Sequence, residues 1–300
     1  MRLLVFGYGY SAHAIAERLR TAGHEIAATV QTAAKAGQLS RSGIRARLFS
    51  DGDRDPAIAG EIAASDAVLV SIPPDQGGDR VLAAFGEAIA AAPRLGWIGY
   101  LSTVGVYGDH AGGWVDETTP VVPREGRSRL RAEAERAWLD FGATRGKATH
   151  LFRLAGIYGP GRNQLAQLAA GTARRIVKPG QVFNRIHVAD IAAVVEASLM
   201  SPRAGAVYNV SDDEPAPPQD VVSFAAKLCG IAPPPEIPFA EADLTPMGRS
   251  FYDKNNRVRN ALIRSELGVV LRYPNYREGL TALRASGEGP NNRARVETSG

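Results

Sequence analysis

Through the first half of the chain, short apolar runs alternate with alanine-rich stretches of helical period: LLVF, SAHAIAERLRTAG, EIAATV, RARLF, AVLVSI, VLAAFGEAIAAA and WIGYLS. A further strand, THLFRLAGI, runs from Thr149 to Ile157. Strand and helix taking turns in this way predict a Rossmann-type α/β core over residues 1–157, with a parallel, doubly wound sheet. From Tyr158 the rhythm loosens. It passes through YGPGRNQL, a hairpin expected at RRIVKPGQVFNRIHV, a helix ADIAAVVEASL, a strand AVYNVS and a helix PQDVVSFAAKLCG. Prolines in PAPP and IAPPPEIP mark loops, and NALIRSELG and NYREGLTALRAS supply two late helices. These segments predict a smaller α+β substrate lobe over residues 158–284, with some of them returning to the sheet. The last stretch, 285–300, lacks periodicity and reads as a flexible tail.

Composition narrows the function classes. Three hundred residues, 45% hydrophobic and 22% charged, suffice for a large core. Cys229 is the single cysteine, so no disulfide or thiolate metal cluster is built, and a reducing compartment, the cytoplasm, is expected. MRLLVF is too short for a signal segment, and no run reaches the roughly 18 apolar residues of a membrane span. The net charge is +4, but basic residues are spread among 31 acids without a basic stripe, which argues against nucleic acid. Five scattered histidines with no HxH or HExxH spacing give no metal site. Only five of the 35 basic residues are lysine: Lys35, Lys147, Lys178, Lys227 and Lys254. Arginine is the default cation.

The first strand runs into GYGYSA and then into a helix that Ser11 is placed to cap. In this GxGxxA turn Gly7 permits the tight bend, Gly9 lets the backbone approach a pyrophosphate, and Ala12 lets helix and strand pack closely. The helix terminus offers bare N–H groups to the phosphates. Gly7, Tyr8, Gly9, Tyr10, Ser11 and Ala12 are therefore the expected cofactor-binding turn. An acidic residue at the end of the second strand would hold the ribose of NAD; the chain has Thr29, Val30, Gln31 and Thr32 instead. With Gln31 there and Lys35 the nearest cation, NADP is favoured over NAD. Asp51 is a candidate for the adenine amino group, though a plain turn in SDGD explains it nearly as well. Ser71, Ile72 and Pro73, ending the fourth strand, are expected to line the cofactor's path.

WIGYLSTVGVYGD closes the fifth strand. With the glycine turn, RLAGIYGPGR, RIHVADIA and YNVSDDEP, it resembles the extended short-chain dehydrogenase/reductase superfamily, which includes nucleotide-sugar epimerases and dehydratases. The resemblance spans roughly residues 1 to 284. It implies that Thr103, four residues before the tyrosine of VYG, holds a substrate oxygen, and it places Tyr107 and Tyr158 near the cleft. The family's YxxxK pair is altered: in EGRSR, Glu125 stands where the tyrosine is expected and Arg129 where the lysine is. No tyrosine occurs between Tyr107 and Tyr158. A guanidinium keeps the charge but cannot relay a proton, and a carboxylate among Arg124, Arg127 and Arg129 stays ionised.

These residues lead to an NAD(P)-binding enzyme of the oxidoreductase or epimerase/dehydratase type. Thr103, Glu125, Arg129 and Tyr107 are its catalytic candidates, and its substrate is a small molecule. Arg127 and Arg129 suggest that the substrate is anionic, since a guanidinium grips carboxylate or phosphate in a forked geometry. A non-enzymatic NAD(P)-binding redox sensor is the alternative. A homodimer is compatible with either. The rest of REGRSRLRAEAER reads as a solvated helix face with Arg129–Glu133 and Arg131–Glu135 pairs.

Overall fold

A computed structural model describes residues 1–50, 55–123 and 126–290. The core begins β1 (Arg2–Phe6), α1 (Tyr10–Thr21), β2 (Glu25–Val30), α2 (Ala33–Arg41), β3 (Arg45–Leu48), α3 (Ala57–Ala63), β4 (Ala67–Val70), α4 (Arg80–Ala91) and β5 (Trp97–Thr103). A 3-10 turn, Val104–Tyr107, leads to β6 (Trp114–Val115), α5 (Arg127–Arg145), β7 (Ala148–Leu154) and β8 (Gly156–Tyr158). Then come α6 (Gln164–Ala169), β9 (Arg175–Val177), β10 (Arg185–His187), α7 (Val188–Met200), β11 (Ala206–Val210) and α8 (Pro218–Leu228). The chain finishes with β12 (Glu236–Pro238), α9 (Pro246–Phe251), β13 (Arg257–Val258), α10 (Ala261–Ser265) and α11 (Tyr276–Ala285).

Seven strands make one parallel sheet in the order β11-β7-β5-β4-β1-β2-β3. The chain grows outward from β1 in one direction and then crosses back to β4, so the order reverses between β1 and β4. In sheets of this kind ligands bind beyond the carboxyl ends of the strands at that reversal. The apolar run LLVF is explained by its position at the centre. Leu3 and Val5 face a core shared with Ile15 and Leu19 of α1 and Ile191 and Val195 of α7, while Leu4 and Phe6 face Ile62, Val81 and Trp138. Alternate residues of a strand point to opposite faces, so a strand covered on both must be apolar throughout.

Late segments supply both the far edge of this sheet and a separate cluster. β11 and α7 belong to the sheet and its cover, whereas Leu165, Val221, Ala225 and Leu280 join α6, α8 and α11 around Tyr158. The hairpin expected at RRIVKPGQVFNRIHV does not form. The turn exists, with the Gln181 amide on the Lys178 carbonyl at 3.1 Å, but the arms diverge. β9 pairs in parallel with β12 and β10 in parallel with β8, and Phe183 between them pairs with Ala216. Among the described residues, no helix is long and apolar enough to cross a membrane.

Candidate active site

β1 ends beneath a bend that only glycine fits. Gly7 has φ +86°, and a β-carbon there would lie 2.7 Å from Ile72 Cγ1. Its amide donates to Thr29 Oγ1 at 3.0 Å, which locks the bend to β2. α1 starts at Tyr10 with Gly9 as its extended N-cap residue and no side-chain cap. Ser11 is thus not the cap: it lies inside the first turn, two residues past the cap position, and is buried. The first-turn amides have no intrahelical partner, and a β-carbon on Gly9 would meet nothing within 4 Å among the described residues. The helix therefore presents an uncovered, partly positive end at the sheet's reversal point. Ala12 is fully buried against the sheet, as close packing requires.

The two tyrosines of the turn have different jobs. Tyr8 stands with its hydroxyl 3.3 Å from His13 Nδ1, and burial, aided by the charge of Glu17, pushes its pKa up to about 12. Tyr10 donates to the Pro160 carbonyl at 3.0 Å beneath the Arg162 guanidinium, tying the turn to the loop after β8. Tyr8, Gly9 and Tyr10 share an open groove of about 420 Å³ with Lys35 and Glu17. Lys35 Nζ donates there to Gln38 Oε1 at 3.1 Å. Gln31 is exposed just past β2. Ser71 continues the ladder through its amide to the Phe6 carbonyl at 2.9 Å, Ile72 covers Gly7, and Pro73 is exposed at the rim. Asp51 and Glu125 lie outside the described residues.

Two strands away, β5 ends in Thr103, whose Oγ1 accepts from the Gly105 amide at 3.1 Å and starts the 3-10 turn. Tyr107 faces inward. It is fully buried, donates to Asn209 Oδ1 at 2.8 Å and accepts from Arg153 Nη1 at 2.9 Å. Burial raises its pKa, against the opposing pull of Arg153. This geometry gives Tyr107 a structural part beneath the lip. Tyr158 likewise is buried, with its hydroxyl on the Asn275 carbonyl at 3.3 Å and its pKa raised by burial. His187 caps α7, accepting from the Ala189 amide at 3.1 Å.

Helix α5 decides the fate of the arginines. Its sheet-facing side carries Ser128, Ala132, Glu135, Trp138 and Gly142, three and four residues apart. Arg129 is one step round from that side, 53% exposed, and paired with Glu133 at 2.9 Å. It faces solvent with its expected helix partner. The expected Arg131–Glu135 pair is not made, because both residues point inward to better partners. Arg131 donates to the Leu101 carbonyl at 2.8 Å and to Tyr100 Oη at 3.1 Å. Glu135 takes Arg153 at 2.8 Å and Ser102 Oγ at 2.5 Å. Arg127 reaches Met247 Sδ at 3.3 Å, contacting α9.

Two further polar groups stand at the lip. Ser128 Oγ and Lys254 Nζ meet in a hydrogen bond beside Thr103, and Lys254 also donates to the Gly105 carbonyl at 3.3 Å. The available signal was compositional: Lys254 is a rare lysine in an arginine-rich chain.

A glycine turn at the reversal of a parallel sheet, with a hydroxyl lip two strands away, defines a Rossmann-type protein of the epimerase/dehydratase fold. The dTDP-glucose 4,6-dehydratase of Bacillus anthracis, solved in complex with NAD, shares it, with TM-score 0.76 at 16% identity over 96% of this chain and 97% of that one. The chain belongs to the family of protein YeeZ of Escherichia coli strain K12, to which it is 31% identical over 219 residues, 70% of this chain and 72% of that protein. A functionally unknown conserved protein from Silicibacter pomeroyi is similar throughout: 51% identity, TM-score 0.87, 96% of this chain and 99% of that one. The 3-diazoavenalumate denitrifying reductase of a Streptomyces species is 27% identical over 324 residues, 93% of this chain and 99% of that protein. No family model matches the chain.

Proposed function

We propose that this protein is an NAD(P)-binding enzyme of the oxidoreductase or epimerase/dehydratase type, acting on a small molecule at the carboxyl edge of the sheet. The observation that carries the reading is the uncovered amino end of α1 at the sheet's reversal point, with Thr103 standing two strands away. An anionic pyrophosphate suits that helix end, and a hydroxyl that can both donate and accept suits a substrate oxygen. The relatives' names support it: one similar protein is a reductase, and one sharing the fold was solved with NAD. NADP is the favoured cofactor, because Lys35 borders the groove beside Gly9 and no acidic side chain stands at Gln31. The lone cysteine, buried and reduced, agrees with work in the cytoplasm.

One observation favours the second reading, a redox sensor without turnover: Arg129 is engaged with Glu133 in solvent rather than at the lip. A panel of small carbonyl and alcohol metabolites, scored by NADPH oxidation or NADP reduction, separates the two. Turnover that Thr103→Ala lowers by roughly a hundredfold supports the enzyme. Turnover unchanged by that substitution contradicts the placement of the site.

A further inference from the structure

The stretch YGPGR after β8 closes on itself and over the start of α1. Gly159 and Arg162 exchange backbone hydrogen bonds at 3.1 and 3.0 Å, which makes residues 159–162 a tight turn. Asn163 Nδ2 donates to the Gly159 carbonyl at 2.8 Å, and Glu288 Oε1 accepts from the Gly161 amide at 3.0 Å. From the other side the Tyr10 hydroxyl donates to the Pro160 carbonyl at 3.0 Å. This braced turn holds Arg162 with its guanidinium 5.7 Å from the centre of the Tyr10 ring. Arg162 is exposed, and among the described residues no carboxylate or carbonyl pairs with its guanidinium. Stacking on a ring leaves its N–H donors unused.

Ser11, next to Tyr10 in the chain, supplies an independent observation. It lies in the first turn of α1 and is only 8% exposed, yet its hydroxyl has no hydrogen-bond partner among the described residues and still opens to solvent. Buried hydroxyls are ordinarily satisfied, so this one is set for a group that arrives from outside. An unused hydroxyl and an unpaired guanidinium thus flank the first residue of a helix whose amino end is uncovered. We propose that Arg162 binds the diphosphate of the dinucleotide, closing over it from the YGPGR turn while Ser11 and the end of α1 hold it from below. The proposal rests on the reading of that helix end as the cofactor site, and adds to it a cation from outside the glycine turn. A guanidinium grips phosphate oxygens with two parallel donors, and a phosphate beside a helix end gains from both charges. The bond from Tyr10 to Pro160 then has a purpose before cofactor arrives: it holds Arg162 in place.

NADPH and ADP-ribose are the probes, titrated calorimetrically into the full-length protein and into Arg162→Met, Arg162→Lys and Ser11→Ala. ADP-ribose keeps the diphosphate and lacks the nicotinamide. The expected result is that Arg162→Met weakens both ligands alike, by roughly tenfold or more, that Arg162→Lys recovers part of the loss, and that Ser11→Ala weakens both by roughly threefold. Melting temperatures of the ligand-free Arg162 variants stay at the wild-type value, because the guanidinium is exposed. Arg162→Met binding both ligands as the wild type does overturns the assignment and leaves the cofactor reading standing. A loss confined to NADPH also overturns it, since that result puts Arg162 at the nicotinamide half. If the wild-type protein binds neither ligand, the cofactor reading falls and the assignment falls with it.

Discussion

Arg153 and Glu135 form a buried ion pair directly under the lip, Nη2 to Oε2 at 2.8 Å, with side-chain exposures of 7% and 5%. Ser102 from β5, Tyr107 from the 3-10 turn and, through Tyr107, Asn209 from β11 complete the network. Removing one member leaves an uncompensated charge in the interior. Glu135→Ala is therefore expected to lower unfolding free energy by about 3–5 kcal/mol in urea denaturation. Combining Glu135→Leu with Arg153→Met should recover part of that loss; a double variant worse than the sum of the singles would contradict this account of the pair.

Acid should weaken the fold through its buried histidines. Burial, with the charge of Arg272, lowers the pKa of His187 to about 4, and burial with Arg203 does the same for His150. An unfolded histidine titrates near 6.5, so between pH 6.5 and 4 the unfolded chain takes up protons that the folded one refuses. Stability contributed by each neutral ring is full above pH 6.5 and falls as pH drops through that window. His187→Asn keeps an acceptor at the helix cap and cannot titrate. Its melting temperature should fall less steeply than the wild type's over this range, and an unchanged slope would exclude His187 as a source.

Gly7→Ala should cost both stability and cofactor affinity. The positive φ and the 2.7 Å approach to Ile72 act together, for a loss of about 1–3 kcal/mol. Thermal denaturation measures the first effect. A variant as stable as the wild type would mean that the bend relaxes without strain.

The sheet was legible because its strands alternate with helices at a clean period, and LLVF needed no tertiary information to be read as a strand. What misled was charge. REGRSRLRAEAER reads as a solvated face by spacing alone, yet Arg131 and Glu135 are drawn inward by Leu101 and Arg153, partners about 20 to 30 residues away that helix periodicity cannot reveal. RRIVKPGQVFNRIHV carries a sound turn, but its arms find parallel partners in β8 and β12, which lie outside the local window. Thr103 was marked as a candidate by its motif, and the structure places it at the end of β5. Lys254 was not marked, because the path from α9 to the lip depends on side chains of Gln181, Asp109 and Gly108's neighbour Asn256 that no spacing rule connects.

The most direct test of the central claim is a calorimetric titration of the wild-type protein and Gly9→Asp with NADPH and NADH. A β-carbon at Gly9 enters open space, so the substitution should spare the fold while setting a carboxylate against the helix end meant for the pyrophosphate. The expected result is micromolar affinity for NADPH, weaker affinity for NADH, and loss of both in Gly9→Asp with a melting temperature no lower than the wild type's, since aspartate is a good N-cap residue. No binding of either nucleotide below millimolar concentration, or equal binding by Gly9→Asp, would contradict it.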